Sequence, residues 1–458
     1  MTSKATFTIL SPTAILGYGY PVESFERGLA ANPDLIAVDA GSTDPGPYYL
    51  GAGKSFTDRI GVKRDLRYML KAGIARKIPV IVGTAGGSGA RPHVEWTQAI
   101  IAEIAREEKL SFKMAIIWSD IPKASVVEAL RAGKVTPLGP VPELTEQAVA
   151  ETPHVVAQIG IEPYLRALDL GCEVILAGRS YDPAVFAALP IKLGFDPGLA
   201  VHCGKILECA AIAATPGSGA DCVLGILHRD HFVLRALSPE RKFTVESTSA
   251  HSLYEKSDPV ILPGPGGHLD LSQVRFEQLP EGEVKVSGSR FVASPVYKIK
   301  LEGSRGVGFR TMTIGGVRDP ILIGQIDAVL KAVKQRVDGI LASEKIRGQV
   351  FFHVYGKDAV MAGLEPVRQT ASHELGIVLE TLAPTQEEAD TLCSVCRSTL
   401  LHYGYPGRIA TAGNIAFPFS PSDVRLGAAY EFSLYHLMDL PQDELFPIEV
   451  VAIPGKPA

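Results

Sequence analysis

The stretch Leu35-Ile36-Ala37-Val38-Asp39-Ala40-Gly41-Ser42-Thr43-Asp44-Pro45-Gly46-Pro47 decides how the chain is read. Its first four residues are apolar without alternation, the pattern of a strand buried on both faces of an α/β sheet. The run then breaks into a loop of aspartates, hydroxyls, glycines and prolines. Ligands of open α/β sheets bind at the carboxyl ends of strands, which makes Asp39, Ser42, Thr43 and Asp44 candidate site residues. The competing reading is a tight turn whose side chains bond their own backbone.

The same grammar recurs on either side. A strand at 7–10 and a helix at 22–31 precede the loop. After it come a helix around 63–72, a strand at 79–82, a helix at 94–109, a strand at 113–118 and a helix at 123–132. Strands at 155–160 and 173–177 follow, with a helix between them. This alternation predicts βαβ units in a mostly parallel sheet with flanking helices, an α/β fold. Beyond about residue 210, short apolar runs at 223–227, 232–234, 284–286, 296–301 and 308–314 lie between glycine and proline turns, as in an antiparallel excursion. A long helix is expected at 321–343. Runs at 349–355, 376–381 and 429–437 with a helix at 386–402 suggest a C-terminal α+β module of ferredoxin-like form. The expected domains are therefore 1–345 and 346–458.

At 458 residues the chain exceeds one ordinary core. Its 46% hydrophobic and 21% charged residues fit a globular protein with a large interior. The net charge of −5, with Lys and Arg scattered, argues against a nucleic-acid or membrane-surface partner. No apolar run approaches the roughly 18 residues that span a bilayer. The first residues lack the basic and apolar pattern of a leader, and the six irregularly spaced cysteines suit reduced thiols. A cytoplasmic location is expected.

Two more strand ends carry polar loops. Gly86, Gly87, Ser88 and Gly89 precede a helix, where backbone N–H groups cradle anions, although neither the Gly-Lys-Ser/Thr nor the Gly-x-Gly-x-x-Gly pattern is present. In Gly178-Arg179-Ser180-Tyr181-Asp182, Arg179 is placed to clamp a substrate carboxylate and Asp182 to orient it or act as a base; an internal Arg–Asp ion pair is the alternative. His202 and Lys205 are candidate acid–base groups, while Lys205 and Glu208, three apart, would also form a structural salt bridge on a helix. His251 and Glu255 are four apart and on a helix would share a face, as an oriented base or as metal ligands. Glu208 and Glu255 are the candidate ligands of a divalent metal ion, although zinc-type spacing is absent. Pro263-Gly264-Pro265-Gly266-Gly267 reads as a rigid turn able to close over a ligand. Arg290 is a further candidate to bind substrate. His228 and His231 fit an exposed hairpin, and Cys393 and Cys396 a helix core.

Several of these motifs stand together in one family. The loop 39–51, Gly178-Arg179-Ser180-Tyr181-Asp182, Gly204-Lys205-Ile206-Leu207-Glu208-Cys209, Ala250-His251-Ser252-Leu253-Tyr254-Glu255, Val286-Ser287-Gly288-Ser289-Arg290-Phe291 and Lys300-Leu301-Glu302-Gly303 resemble the acyclic terpene utilisation (AtuA) family. The resemblance runs to about residue 345 and extends to the C-terminal module. It implies a part in bacterial breakdown of acyclic terpenes such as citronellol and geraniol, through branched acyl-CoA esters, or in related carboxylic-acid routes. It carries no agreed catalytic residue. Cys203 departs from the small residue expected before Gly204.

The reading that results is a catabolic lyase or hydratase acting on a small branched carboxylic acid or its acyl-CoA ester. Asp39, Asp44 and Asp182 would supply acid–base or divalent-metal chemistry, and Arg179 with the Gly86–Gly89 loop would grip the carboxylate. A metal-dependent hydrolase using His202, Glu208, His251 and Glu255 is one alternative, and a non-catalytic acid-binding subunit of a larger enzyme is another. A homo-oligomer is expected on general grounds, with a second subunit as a further partner.

Overall fold

The computed structural model of the chain describes residues 4–440 and 446–454. The chain forms two compact units, Met1–Arg305 with Phe432–Ala458, and Gly306–Glu431. The sequence places the domain boundary after residue 345; in the structure the chain leaves the first unit inside a strand and returns to it at residue 432.

In the first unit the chain lays down β1 (Phe7–Ser11), β2 (Leu35–Asp39), β3 (Val80–Gly83), β4 (Phe112–Ile117), β5 (Val135–Pro137), β6 (His154–Ala157) and β7 (Val174–Ala177). β1, β2, β3, β7 and β4 are parallel neighbours in that order. β8 (Val223–Leu227), β9 (His231–Ala236), β10 (Ile261–Gly264), β11 (Gly267–Asp270), β12 (Arg275–Leu279), β13 (Glu283–Ser287) and β14 (Arg290–Ala293) follow. β8, β9, β13 and β12 extend the sheet antiparallel beyond β1, and Ile448–Ile453 closes the far edge against β4. The ten-stranded sheet is thus mixed rather than mostly parallel. The cause is connection length: helices link the central strands, whereas β8 to β9 and β12 to β13 are joined by short turns, which can only make antiparallel pairs.

Burial explains the central strands. All five residues of β2 and all four of β3 are buried. Alternate side chains feed opposite cores: Ile36 and Val38 face one that includes Met69 and Ile101, and Ala37 faces another with Ile81 and Phe186. Asp58 starts the helix Arg59–Arg76 by accepting the Ile60 and Gly61 amides, and Lys77 ends it in the left-handed region. No helix among the described residues is long and apolar enough to cross a membrane.

One continuous strand, β15 (Lys298–Val317), which begins in the first unit and ends in the second, replaces the two expected at 296–301 and 308–314. Its later half pairs with Leu375–Ala383, which pairs in turn with Gln349–Tyr355. The helices Ile326–Glu344 and Gln386–Leu401 share a core in which Val333, Leu379, Cys393 and Cys396 are buried.

The loop after β3 nests against the loop after β7. Gly89 has a φ of +69°, and a Cβ there would stand 2.0 Å from the Arg179 amide nitrogen. Gly89→Ala therefore incurs both left-handed strain of roughly 1–2 kcal/mol and overpacking of about 1–3 kcal/mol. Gly171, with a φ of +66° and open space around it, incurs the first alone. In thermal unfolding, Gly89→Ala should lose about 1–3 kcal/mol more stability than Gly171→Ala.

Candidate active site

β2 ends on Asp39, buried beneath the loop that follows. Its Oδ2 accepts the Gly41 amide at 3.1 Å, and its Oδ1 is buried with no hydrogen-bond partner. The loop after β7 supplies Arg179, whose Nε donates to Glu302 Oε2 at 2.6 Å and whose Nη1 donates to Asp182 Oδ1 at 2.9 Å and to the Ser180 carbonyl at 2.7 Å. Glu302, on β15 and fully buried, also accepts the Thr43 hydroxyl at 3.0 Å and the Lys300 ammonium at 2.8 Å. Thr84, after β3, has a φ of +46°, a costly conformation for a β-branched residue. Its hydroxyl receives the Ser180 amide at 3.3 Å. The helix Pro197–Leu207 brings Lys205 and then Glu208, which are ion-paired; Glu208 Oε2 is buried without a partner.

These loops enclose a cavity of about 250 Å³ at the carboxyl ends of β1, β2 and β7. Asp39, Asp44, Asp182, Glu208 and Glu255 line it, and among the described residues no Lys or Arg does. Ile15, Tyr18, Phe56 and Ile212 give it an apolar wall. Burial, reinforced by Asp182, pushes the Asp39 carboxyl up to about 8 against the pull of Arg179. Burial likewise raises Glu208 to about 8, with Lys205 opposing and Asp182 and Asp39 adding. Glu302 goes the other way: burial would raise it, but Arg179 and Lys300 hold it down at about 2. Burial thus pushes both carboxyls towards their protonated forms, a shift that for Glu208 competes with its ion pair to Lys205, beside Asp182, which is held in an ion pair with Arg179.

Of the residues read from the sequence, Asp39, Ser42, Asp44, Asp182, Glu208 and Glu255 meet at this cavity. Thr43 stands behind it on Glu302, and Lys205 lies behind Glu208, 3.5 Å from Glu255. Arg179 is 3% exposed and committed to its carboxylates, so it is the internal ion pair rather than a free clamp. The Gly86–Gly89 loop is filled by neighbouring atoms, with His93 against Gly86 and Phe56 against Gly87, and forms no open cradle. His202 bonds Ser289 at 2.7 Å and Ser252 at 3.0 Å, with burial lowering it to about 3, as befits a core histidine. His251 is buried and stacks on Tyr254, but the helix Val245–Ser252 ends before Glu255, whose φ is +58°, so the two do not share a helical face. Arg290 pairs with Asp270 and does not line the cavity. No group of three or more His, Cys, Asp or Glu side chains among the described residues is placed to hold a metal ion. Cys203 is a core thiol against Gly225, and Cys209 is the thiol that lines the cavity.

The chief residue missed from the sequence is Glu302, together with Lys300. The available signal was Lys300-Leu301-Glu302, two charges at the same strand parity between apolar neighbours, which places both on one face of a buried strand.

Removing one partner of a buried ion pair strands the other charges, so Glu302→Gln should cost about 3–5 kcal/mol in thermal or denaturant unfolding. The carboxyls also predict opposite pH effects. Glu302 ionises more readily folded than unfolded, so its contribution is present above about 4.5 and lost as the pH falls towards 2. Asp39 is the reverse: its contribution is full below about 3.8 and lost as the pH rises through 8. Asp39→Asn should therefore raise the melting temperature relative to the parent at pH 8 and leave it nearly unchanged at pH 4.

No curated protein and no solved structure matches the chain. The family model described as acyclic terpene utilisation family protein AtuA matches residues 59–221 and 235–422. These regions take in Arg179, Asp182, Lys205, Glu208, Glu255 and Glu302, and they cover most of the sequence. The chain belongs to the acyclic terpene utilisation family.

Proposed function

We propose that the protein is a catabolic enzyme of acyclic terpene breakdown, of the hydratase or lyase type, acting on a branched acyl thioester such as an acyl-CoA. The observation that carries this reading is the pair of buried carboxyls, Asp39 and Glu208, each with an unpartnered oxygen and a pKa near 8, on one small cavity. Carboxyls tuned in this way serve as general acids at neutral pH. Five carboxyls without a lining cation disfavour a free carboxylate and favour an uncharged acyl group, whose branched carbons meet the apolar wall. This narrows the expected substrate from an acid or its ester to the ester.

In the dehydration direction, Asp182 takes a proton from the carbon next to the carbonyl. The bond from the β-carbon to its hydroxyl breaks, and the Asp39–Glu208 pair supplies the proton that lets the hydroxyl leave as water. Hydration reverses each step. The ion pair with Arg179 keeps Asp182 aimed while Glu302 holds Arg179.

The test is incubation with 3-methyl-branched 2-enoyl and 3-hydroxyacyl CoA thioesters in deuterated water, following water addition and α-deuteration by mass spectrometry. Turnover is expected with an alkaline limb near pH 8, where the donor proton is lost. Asp39→Asn and Glu208→Gln should each lose about 10²-fold or more while remaining folded. Full activity in both variants, or a folded protein inert towards every thioester, would overturn the assignment, and inertness together with a co-purifying second chain would point to an acid-binding subunit.

A further inference from the structure

A second cavity in the first unit, of about 360 Å³, has the opposite chemistry. One wall is the β10–β11 hairpin, the rigid turn noted in the sequence, and another is the start of β15. Lys298 and Lys300 line it by strand parity, since the intervening Ile299 points into the core. His268 and Gln158 join them, and among the described residues no carboxylate lines the space. Ile261, Val296 and Leu437 supply an apolar side.

The two lysines are held in place. Lys300 pairs with Glu302 at 2.8 Å and lies over the Tyr435 ring at 4.2 Å, and Lys298 pairs with Asp439 at 2.6 Å. An ammonium carries three donors, so one carboxylate partner does not exhaust it. The hairpin is equally fixed: Gly264 seats against the Tyr181 ring and Gly266, with a φ of +76°, against Tyr297. A preformed pocket with two anchored cations, a histidine and an apolar side is built for one class of ligand.

We propose that this cavity binds the oxyanion of a small organic molecule, a phosphate or carboxylate group gripped by Lys298, Lys300 and His268 with its carbon body on Ile261, Val296 and Leu437. This site is separate from the acid–base cavity and does not depend on the chemistry proposed there.

The experiment is a titration of the full-length protein, by calorimetry and thermal shift at constant ionic strength, with inorganic phosphate, with 3-methylbutanoate and with the neutral alcohol 3-methylbutan-1-ol. Sodium chloride serves as the blank. Saturable binding of either anion beyond chloride is expected, weakened about tenfold in Lys298→Ala and in His268→Ala, both changes at the cavity rim that spare the Glu302 network. Saturation by phosphate alone identifies a phosphate-bearing ligand, and saturation by the acid alone a carboxylate; each supports the proposal. No binding beyond chloride, equal binding of the alcohol, or binding undiminished in the double variant Lys298→Ala/His268→Ala would overturn it.

Discussion

The first unit is organised around a buried charge that must be neutralised. Glu302 has no solvent exposure, and an isolated ionised carboxylate there would cost several kcal/mol. It is met by Arg179, Lys300 and Thr43, which come from the loop after β7, from its own strand and from the loop after β2. Satisfying one carboxylate therefore fixes two strand-end loops against β15. Asp182 and Asp39 stand on those same loops, so the position of these cavity carboxyls follows from electrostatics at a residue that does not itself line the cavity.

Where Glu302 is fully satisfied, Asp39 and Glu208 are not. Each keeps a buried oxygen without a partner, and each is pushed towards its protonated form. Thr84, just after the neighbouring strand β3, adds a strained backbone. Such features cost stability, and they cluster near the carboxyl ends of the central parallel strands.

How much of this was legible in the sequence depends on range. The central strands were readable because each is a short apolar run bounded by breakers, and the strand-end loops because their composition is extreme. The Arg179–Asp182 pair was visible as a local spacing. Glu302 was not: it lies 123 residues from Arg179 and 259 from Thr43, and nothing in local pattern connects them. His251 and Glu255 misled because helical spacing holds only while the helix lasts, and this one stops at Ser252. The boundary between units was hidden because it falls within the unbroken strand Lys298–Val317.

Glu302 also stands between the two cavities, paired with Arg179 on one side and with Lys300, which lines the second, on the other. Its negative charge is divided between two cations, so a change in the demand on either is felt by its rival. Were Lys300 drawn towards an external anion, Glu302 would lean more heavily on Arg179, which also pairs with Asp182. By thermodynamic reciprocity such an influence would run equally in both directions. One buried carboxylate is thus the pivot on which both sets of side chains rest.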